Sequence, residues 1–243
     1  MNWSWTVIWD ALPRLLDGAV LTLELVFVSG VLGLILALPL ALMRTSSRSW
    51  LRALPFAYIF FLRGTPLLVQ IFLIYYGTSQ FSLFRETVLW SVFSQPYWCA
   101  IIAFTLNTAA YSAELIRGAI QGIPKGELEA ADALGMSTQL KVRRIVLPRA
   151  FGIVLPAYGN ELILMLKGSS LASTITLLDL TGMARTIIAR TYTPLEIFFA
   201  AGMIYLAINA CLILAFRVLE RYLNRYQYFR VPSPEPSSHE TAP

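Results

Sequence analysis

Apolar residues run through this chain in long blocks rather than in short amphipathic stripes. Five blocks reach the ~20 residues that carry a helix across a bilayer: residues 19–43, 54–76, 97–116, 153–178 and 195–216. Each predicts a membrane-spanning helix, and no connection is long enough for a separate soluble domain. The fourth is the weakest, because Lys167, Gly168, Ser169 and Ser170 interrupt it. Residues 1–18 read as an interfacial segment, 19–225 as the membrane domain with a polar loop at 124–148, and 226–243 as a proline-rich, disordered tail. Asp10 and Asp17 near the start replace the basic flank that a cleavable signal peptide carries.

Composition agrees with the pattern. Of 243 residues, 57% are hydrophobic and 14% charged, where a soluble domain carries about a quarter charged. The net charge of +5 raises nucleic acid as a partner, but its placement argues otherwise. Thirteen of the 19 Lys and Arg fall in residues 44–52, 117–149 and 217–230. Basic residues mark cytoplasmic connections, so the expected topology has five crossings, the N-terminus outside and the C-terminus inside. Trp3, Trp5, Trp9, Trp90 and Trp98 then gather at the outer face as an interfacial belt.

Candidate covalent chemistry is sparse. Cys99 and Cys211 lie in apolar blocks without CxxC or histidine spacing and read as packing residues. The single histidine, His239, sits in the tail. A membrane enzyme needs clustered His, Asp or Cys near an interface, so the chain reads as no enzyme. A GxxxxGK[ST] loop is also missing, so no phosphate cradle is expected here.

One polar stretch asks for a partner: GELEAADALGMSTQLKVRRIVLP, residues 126–148. Pro124 suits the first turn of a helix, and Glu127 and Glu129 favour its N-terminal end. Gly135 is placed to cap that helix in the left-handed conformation, and Ser137 to start a second one that Pro148 ends. The first helix is expected to expose Ala130, Ala131 and Ala133, with Glu127, Glu129 and Asp132 beside them. Such a helix can enter a groove on another protein or rest on lipid headgroups; the residues alone leave both open.

The spacing Glu129-Ala130-Ala131, three residues, Gly135, nine residues, Ile145, one residue, Leu147-Pro148 resembles the EAA loop of ATP-binding-cassette (ABC) importer permeases. RGTPLLVQIFLIYYG (63–77), LNTAAYSAELIRGAI (106–120) and LPAYGNELILMLKGSSLASTITLLDLTG (155–182) are similar to the polar-amino-acid permeases, closest to the histidine/lysine/arginine/ornithine, arginine and opine group. The resemblance implies an all-α type I ABC importer permease fold, with five transmembrane helices and a cytoplasmic coupling helix. It also implies an inner-membrane subunit that imports basic amino acids, paired with a second permease, paralogue or identical copy. Two ATPase subunits would bind ATP and magnesium, this chain binding no cofactor, and an extracytoplasmic binding protein would deliver substrate. Glu129, Ala130, Ala131, Asp132 and Gly135 would dock on the ATPase. A permease for glutamine, other polar amino acids or opines, and a motor-independent channel, are the alternatives.

Ionisable groups inside a bilayer are costly and read as functional, each with a partner. Glu24, Arg63, Glu114, Glu161 and Lys167 are the candidates. Glu161 follows Asn160 in the fourth block, close to the interruption at Lys167–Gly168, where a broken helix frees carbonyls for an ammonium group. Glu161 and Asn160 are therefore candidate substrate ligands; Gln70, Asn107 and Thr108 are further polar candidates that read first as hydrogen bonds between helices, and Arg63 reads as snorkelling or paired rather than as a ligand. The competing reading pairs Glu161 with Arg63 or Lys167 to tie helices together. Glu114 and Arg117 have the spacing of an ordinary helical ion pair.

Overall fold

The computed structural model describes residues 3–223; those residues are almost wholly helical and contain no strand. The tail expected at 226–243 lies outside them. Helix α1 spans Trp5–Thr45 without interruption. Its 41 residues measure about 60 Å at 1.5 Å each, twice the thickness of the hydrocarbon core. The segment read as 1–18 is thus continuous with the first span from Trp5 onward.

The second block is divided. Helix α2 spans Ser49–Gly64, and α3 spans Leu67–Phe72 and widens into a π turn over Leu73–Gly77. The two pieces meet at 107°. Pro66 lacks an N–H and disfavours helical backbone at the residue before it, and Thr65 is extended, with ψ 146°. Four helices among the described residues are long and apolar enough to cross a membrane, five if the bent pair counts as one span.

Short helices α4 (Ser82–Arg85) and α5 (Trp90–Phe93) follow, then α6 (Pro96–Gln121). Helix α7 (Lys125–Ala133) and α8 (Thr138–Lys141) form the polar loop. Pro148 does not end the second helix as expected. A π turn over Val142–Val146 leads from α8 into α9 (Leu147–Gly168), so the proline stands in the first turn of α9. The wider turn shifts the carbonyls that a proline ring meets in a regular helix. Helix α9 tightens into 3₁₀ over Ser169–Ile175, and α10 (Leu180–Thr191) and α11 (Pro194–Leu223) complete the chain.

Helix α6 is the most enclosed of the long helices and α11 the least. Contact between α1 and α6 is close because small residues face each other: Gly33, Ala37 and Ala41 against Thr108, Ala109, Ala110 and Ala113. A Cβ on Gly33 would stand 3.0 Å from the Thr108 side chain. Between lipid-solvated helices such contact replaces the hydrophobic drive that water supplies elsewhere. Buried clusters continue along the bundle: Leu25, Phe104 and Leu166 in its middle, and Leu15, Leu180 and Ile197 where the start of α1 meets α10 and α11. Large apolar residues such as Phe27, Ile35, Phe60 and Leu206 point outward, as lipid demands.

One end of the bundle is basic. There Glu114 accepts from Arg117 at 2.7 Å, as its spacing indicates, and from Arg44 at 3.2 Å. Trp3, Trp5 and Trp9 lie at the other end, with Trp3 edge-on to Trp5 and Phe199.

Candidate functional site

The bend between α2 and α3 is held by one side chain. Gln70 donates to the carbonyl of Leu62 at 2.7 Å, and to the carbonyl and hydroxyl of Thr65 at 3.1 and 2.9 Å. Its Oε1 accepts from Asn107 Nδ2 at 3.0 Å. A chain that turns through more than a right angle inside lipid leaves carbonyls without helical donors, and the amide answers two of them. Its hydrogen-bonding groups are thereby occupied, and Gln70 does not line the cavity beside it.

That cavity, ≈ 270 Å³, lies between the bend, α6 and α9. Thr65, Pro66 and Leu67 wall it on one side, Phe104, Asn107, Thr108 and Tyr111 on the second, Glu161, Leu164 and Met165 on the third. Three residues singled out from sequence, Asn107, Thr108 and Glu161, therefore meet there. Thr108 donates to the Met165 sulfur at 2.9 Å. Glu161 is 9% exposed; its carboxylate is in none of the close ion pairs among the described residues, and the Arg63 charge reaches it from a distance only. Of the two pairings considered for it, the one with Lys167 does not form, since Lys167 is exposed, and the one with Arg63 stays at a distance: Arg63 lies over the Tyr111 ring at 5.0 Å and acts on Glu161 by its charge without a close contact.

Asn160 is elsewhere. It is exposed on the isolated chain, because consecutive helical residues point about 100° apart and cannot share a face. Tyr111 escaped notice in the sequence, although it lies one turn beyond Asn107 and so on the same side of α6. The carbonyls expected to be free near Lys167 are also answered. Ser169, Ser170, Ser173 and Thr174 donate to the carbonyls of Leu166, Lys167, Ser170 and Leu171, at 2.6–2.8 Å. The α-to-3₁₀ change therefore presents no open ring of carbonyls. Glu24, the remaining acid among the five candidates, accepts from the Tyr97 hydroxyl at 2.6 Å.

At the basic end, α7 begins after Pro124 and closes in a complete Schellman motif. Gly135, at φ 68°, donates to the carbonyl of Asp132, and Met136 donates to that of Ala131. Ser137 then caps α8 by accepting from Leu140. Glu129, Ala130, Asp132 and Gly135 are exposed, while Ala131 is 2% exposed and faces its own chain. The alanines are not all offered outward as expected, since one face of so short a helix must pack. Leu134 stands 82% exposed at its tip. Lys141 pairs with Asp132 at 2.6 Å, which orients the acid without covering it.

The chain is similar to known proteins. Residues 29–225 match the family described as the binding-protein-dependent transport system inner membrane component. The nopaline transport system permease protein NocM of Agrobacterium fabrum is 47% identical, over 96% of this chain and 97% of its own. The octopine transport system permease protein OccM of Rhizobium meliloti is 49% identical over 88% and 87%. The arginine permease protein ArtM of Haemophilus influenzae is 40% identical over 91% and 97%. A crystal structure of an amino acid ABC transporter with histidines superposes with a TM-score of 0.82 at 33% identity, over 91% of this chain and 100% of that one. The chain belongs to the binding-protein-dependent inner-membrane transport components: it is a permease subunit of an amino-acid ABC importer, with the type I importer fold, and is not itself an enzyme.

Proposed function

We propose that this permease carries basic amino acids (arginine, histidine, ornithine, lysine) inward. The observation behind the reading is the Glu161 carboxylate: buried, facing a cavity, and in no close ion pair among the described residues. An unpaired carboxylate within the membrane is unfavourable, and a cationic side chain supplies the missing charge. Asn107 and Thr108 line the same cavity and provide the few polar groups that orient a ligand. Gln70 acts behind Asn107 by fixing its amide, and Asn160 faces outward, where a second permease, paralogue or identical copy, completes the passage.

The charge distribution supports placing the basic end in the cytoplasm and the N-terminus outside. Helix α7 then offers Glu129, Ala130, Asp132 and Gly135 to a separate ATPase that binds ATP and magnesium, with Ala131 packing the helix from behind. An extracytoplasmic binding protein hands over the cargo. A channel without a motor has no use for such a helix. The similarity to permeases named for nopaline and octopine favours a second reading, with an opine as cargo.

The test is ATP hydrolysis by the purified complex of permease, ATPase and binding protein in lipid nanodiscs. Arginine, histidine, ornithine or lysine is expected to stimulate it, and glutamine to leave it at the basal rate. Stimulation by glutamine, with none by arginine at saturating binding protein, overturns the basic-substrate reading. A response to nopaline or octopine alone transfers the cargo to the opines.

A further inference from the structure

A second cavity, ≈ 340 Å³, adjoins the first. It is lined by Arg44, Phe56, Arg63, Tyr111 and Glu114 among others, and Tyr111 is common to both. Its two arginines differ. Arg44 pairs with Glu114 and lies over the Phe56 ring at 5.0 Å. Arg63 makes no close ion pair among the described residues: it lies over the Tyr111 ring face at 5.0 Å, and the Glu161 carboxylate feels its charge from beyond contact distance. Two opposite charges, Glu161 and Arg63, thus flank one tyrosine and do not pair with each other. Arg63 stands in the last turn of α2, just before the bend at Thr65–Pro66, while Glu161 projects from α9 into the cavity that the bend walls. Without a direct contact between them, each charge is incompletely neutralised in lipid, which is unfavourable.

A basic amino acid carries the complementary charges at its two ends. We infer that Arg63 receives the α-carboxylate of the transported amino acid, beside Tyr111, while Glu161 holds its cationic side chain. A guanidinium suits this role because its planar fork meets a carboxylate with two parallel hydrogen bonds. The aromatic face orients the fork in the meantime. The inference rests on the basic-substrate reading above and adds a second point of recognition to it.

Agmatine, which is arginine without its α-carboxylate, separates the two points. The experiment is equilibrium binding of tritiated arginine to the permease–ATPase complex in nanodiscs, without binding protein, with unlabelled arginine or agmatine as competitor. The wild-type complex is expected to prefer arginine by about tenfold or more, the scale of one charge-assisted contact. In Arg63→Gln the arginine affinity falls to that of agmatine, which is itself unchanged. Arg63→Lys keeps part of the preference, a point charge without the fork. In Glu161→Gln both ligands weaken and their ratio is kept.

An unchanged preference in Arg63→Gln overturns the inference, as does equal weakening of both ligands, which marks Arg63 as a strut toward a partner subunit. Equal wild-type affinity for the two ligands overturns it alone and leaves the basic-substrate reading in place. A wild-type complex that binds neither overturns that reading and the inference with it. Should Arg63→Gln fail to co-purify with the ATPase, the wild-type ratio and Arg63→Lys still decide.

Discussion

Arg149 donates two hydrogen bonds to Glu127, at 3.1 and 2.8 Å, and so ties α7 to the root of α9, the helix that carries Glu161. A push on α7 is expected to reach the cavity wall through this pair and through the chain between them. Both side chains are about one-third exposed, so the pair adds little to stability, at most about 1 kcal/mol. Its expected role is mechanical. In Arg149→Gln the melting temperature of the nanodisc complex should move by no more than a few degrees, while stimulation of ATP hydrolysis by substrate falls several-fold. A large loss of stability with stimulation preserved would place the pair in the fold instead.

A substitution at Gly135 tests the proposed docking apart from folding. A Cβ there meets nothing within 4 Å, but the backbone sits at φ 68°. Gly135→Ala is therefore opposed by conformation alone, at about 1 kcal/mol. The bundle should remain intact, and the end of α7 and the exposed Leu134 should shift. We expect weaker co-purification with the ATPase and reduced uptake in proteoliposomes. Gly126→Ala, also without a neighbour within 4 Å and at ordinary φ, is the control that should leave both unchanged.

Gln70→Leu keeps the size of the side chain and removes every polar contact at the bend. The carbonyls of Leu62 and Thr65 lose a donor, at roughly 1–3 kcal/mol for each group left buried and unsatisfied. Asn107 loses the acceptor that orients it. Lower yield of assembled complex and a lower melting temperature are expected, and Gln70→Glu, which keeps an acceptor but not the donors, should not restore them. Wild-type stability in Gln70→Leu would show that the bend is held by packing alone.

Much of this was legible in the sequence where the determinants are local. Gly135 and Ser137 cap their helices as their residue types require, and Glu114 pairs with Arg117 at helical spacing. Asn107, Thr108 and Glu161, which line one cavity, stand out in the sequence as polar groups in apolar blocks. What the sequence did not disclose depends on neighbours distant along the chain. The second block reads as one span, yet Pro66 and the reach of Gln70 back to Leu62 fold it through 107°. The break near Lys167 promised open carbonyls, which the adjacent serines and a threonine instead close. Ala131 looked like its exposed neighbours until the rest of the chain covered it. Pro148 reads as a stop, but a π turn carries the helix onward.

Charge removal at the cavity is the most direct check. Glu161→Gln preserves shape and removes the negative charge that the account assigns to the cationic side chain of the substrate. Arginine uptake into proteoliposomes holding the full complex should fall by about tenfold or more, the loss of one charge-assisted contact, with the ATPase still co-purifying. Wild-type uptake in Glu161→Gln, or loss of the assembled complex together with transport, would contradict the account.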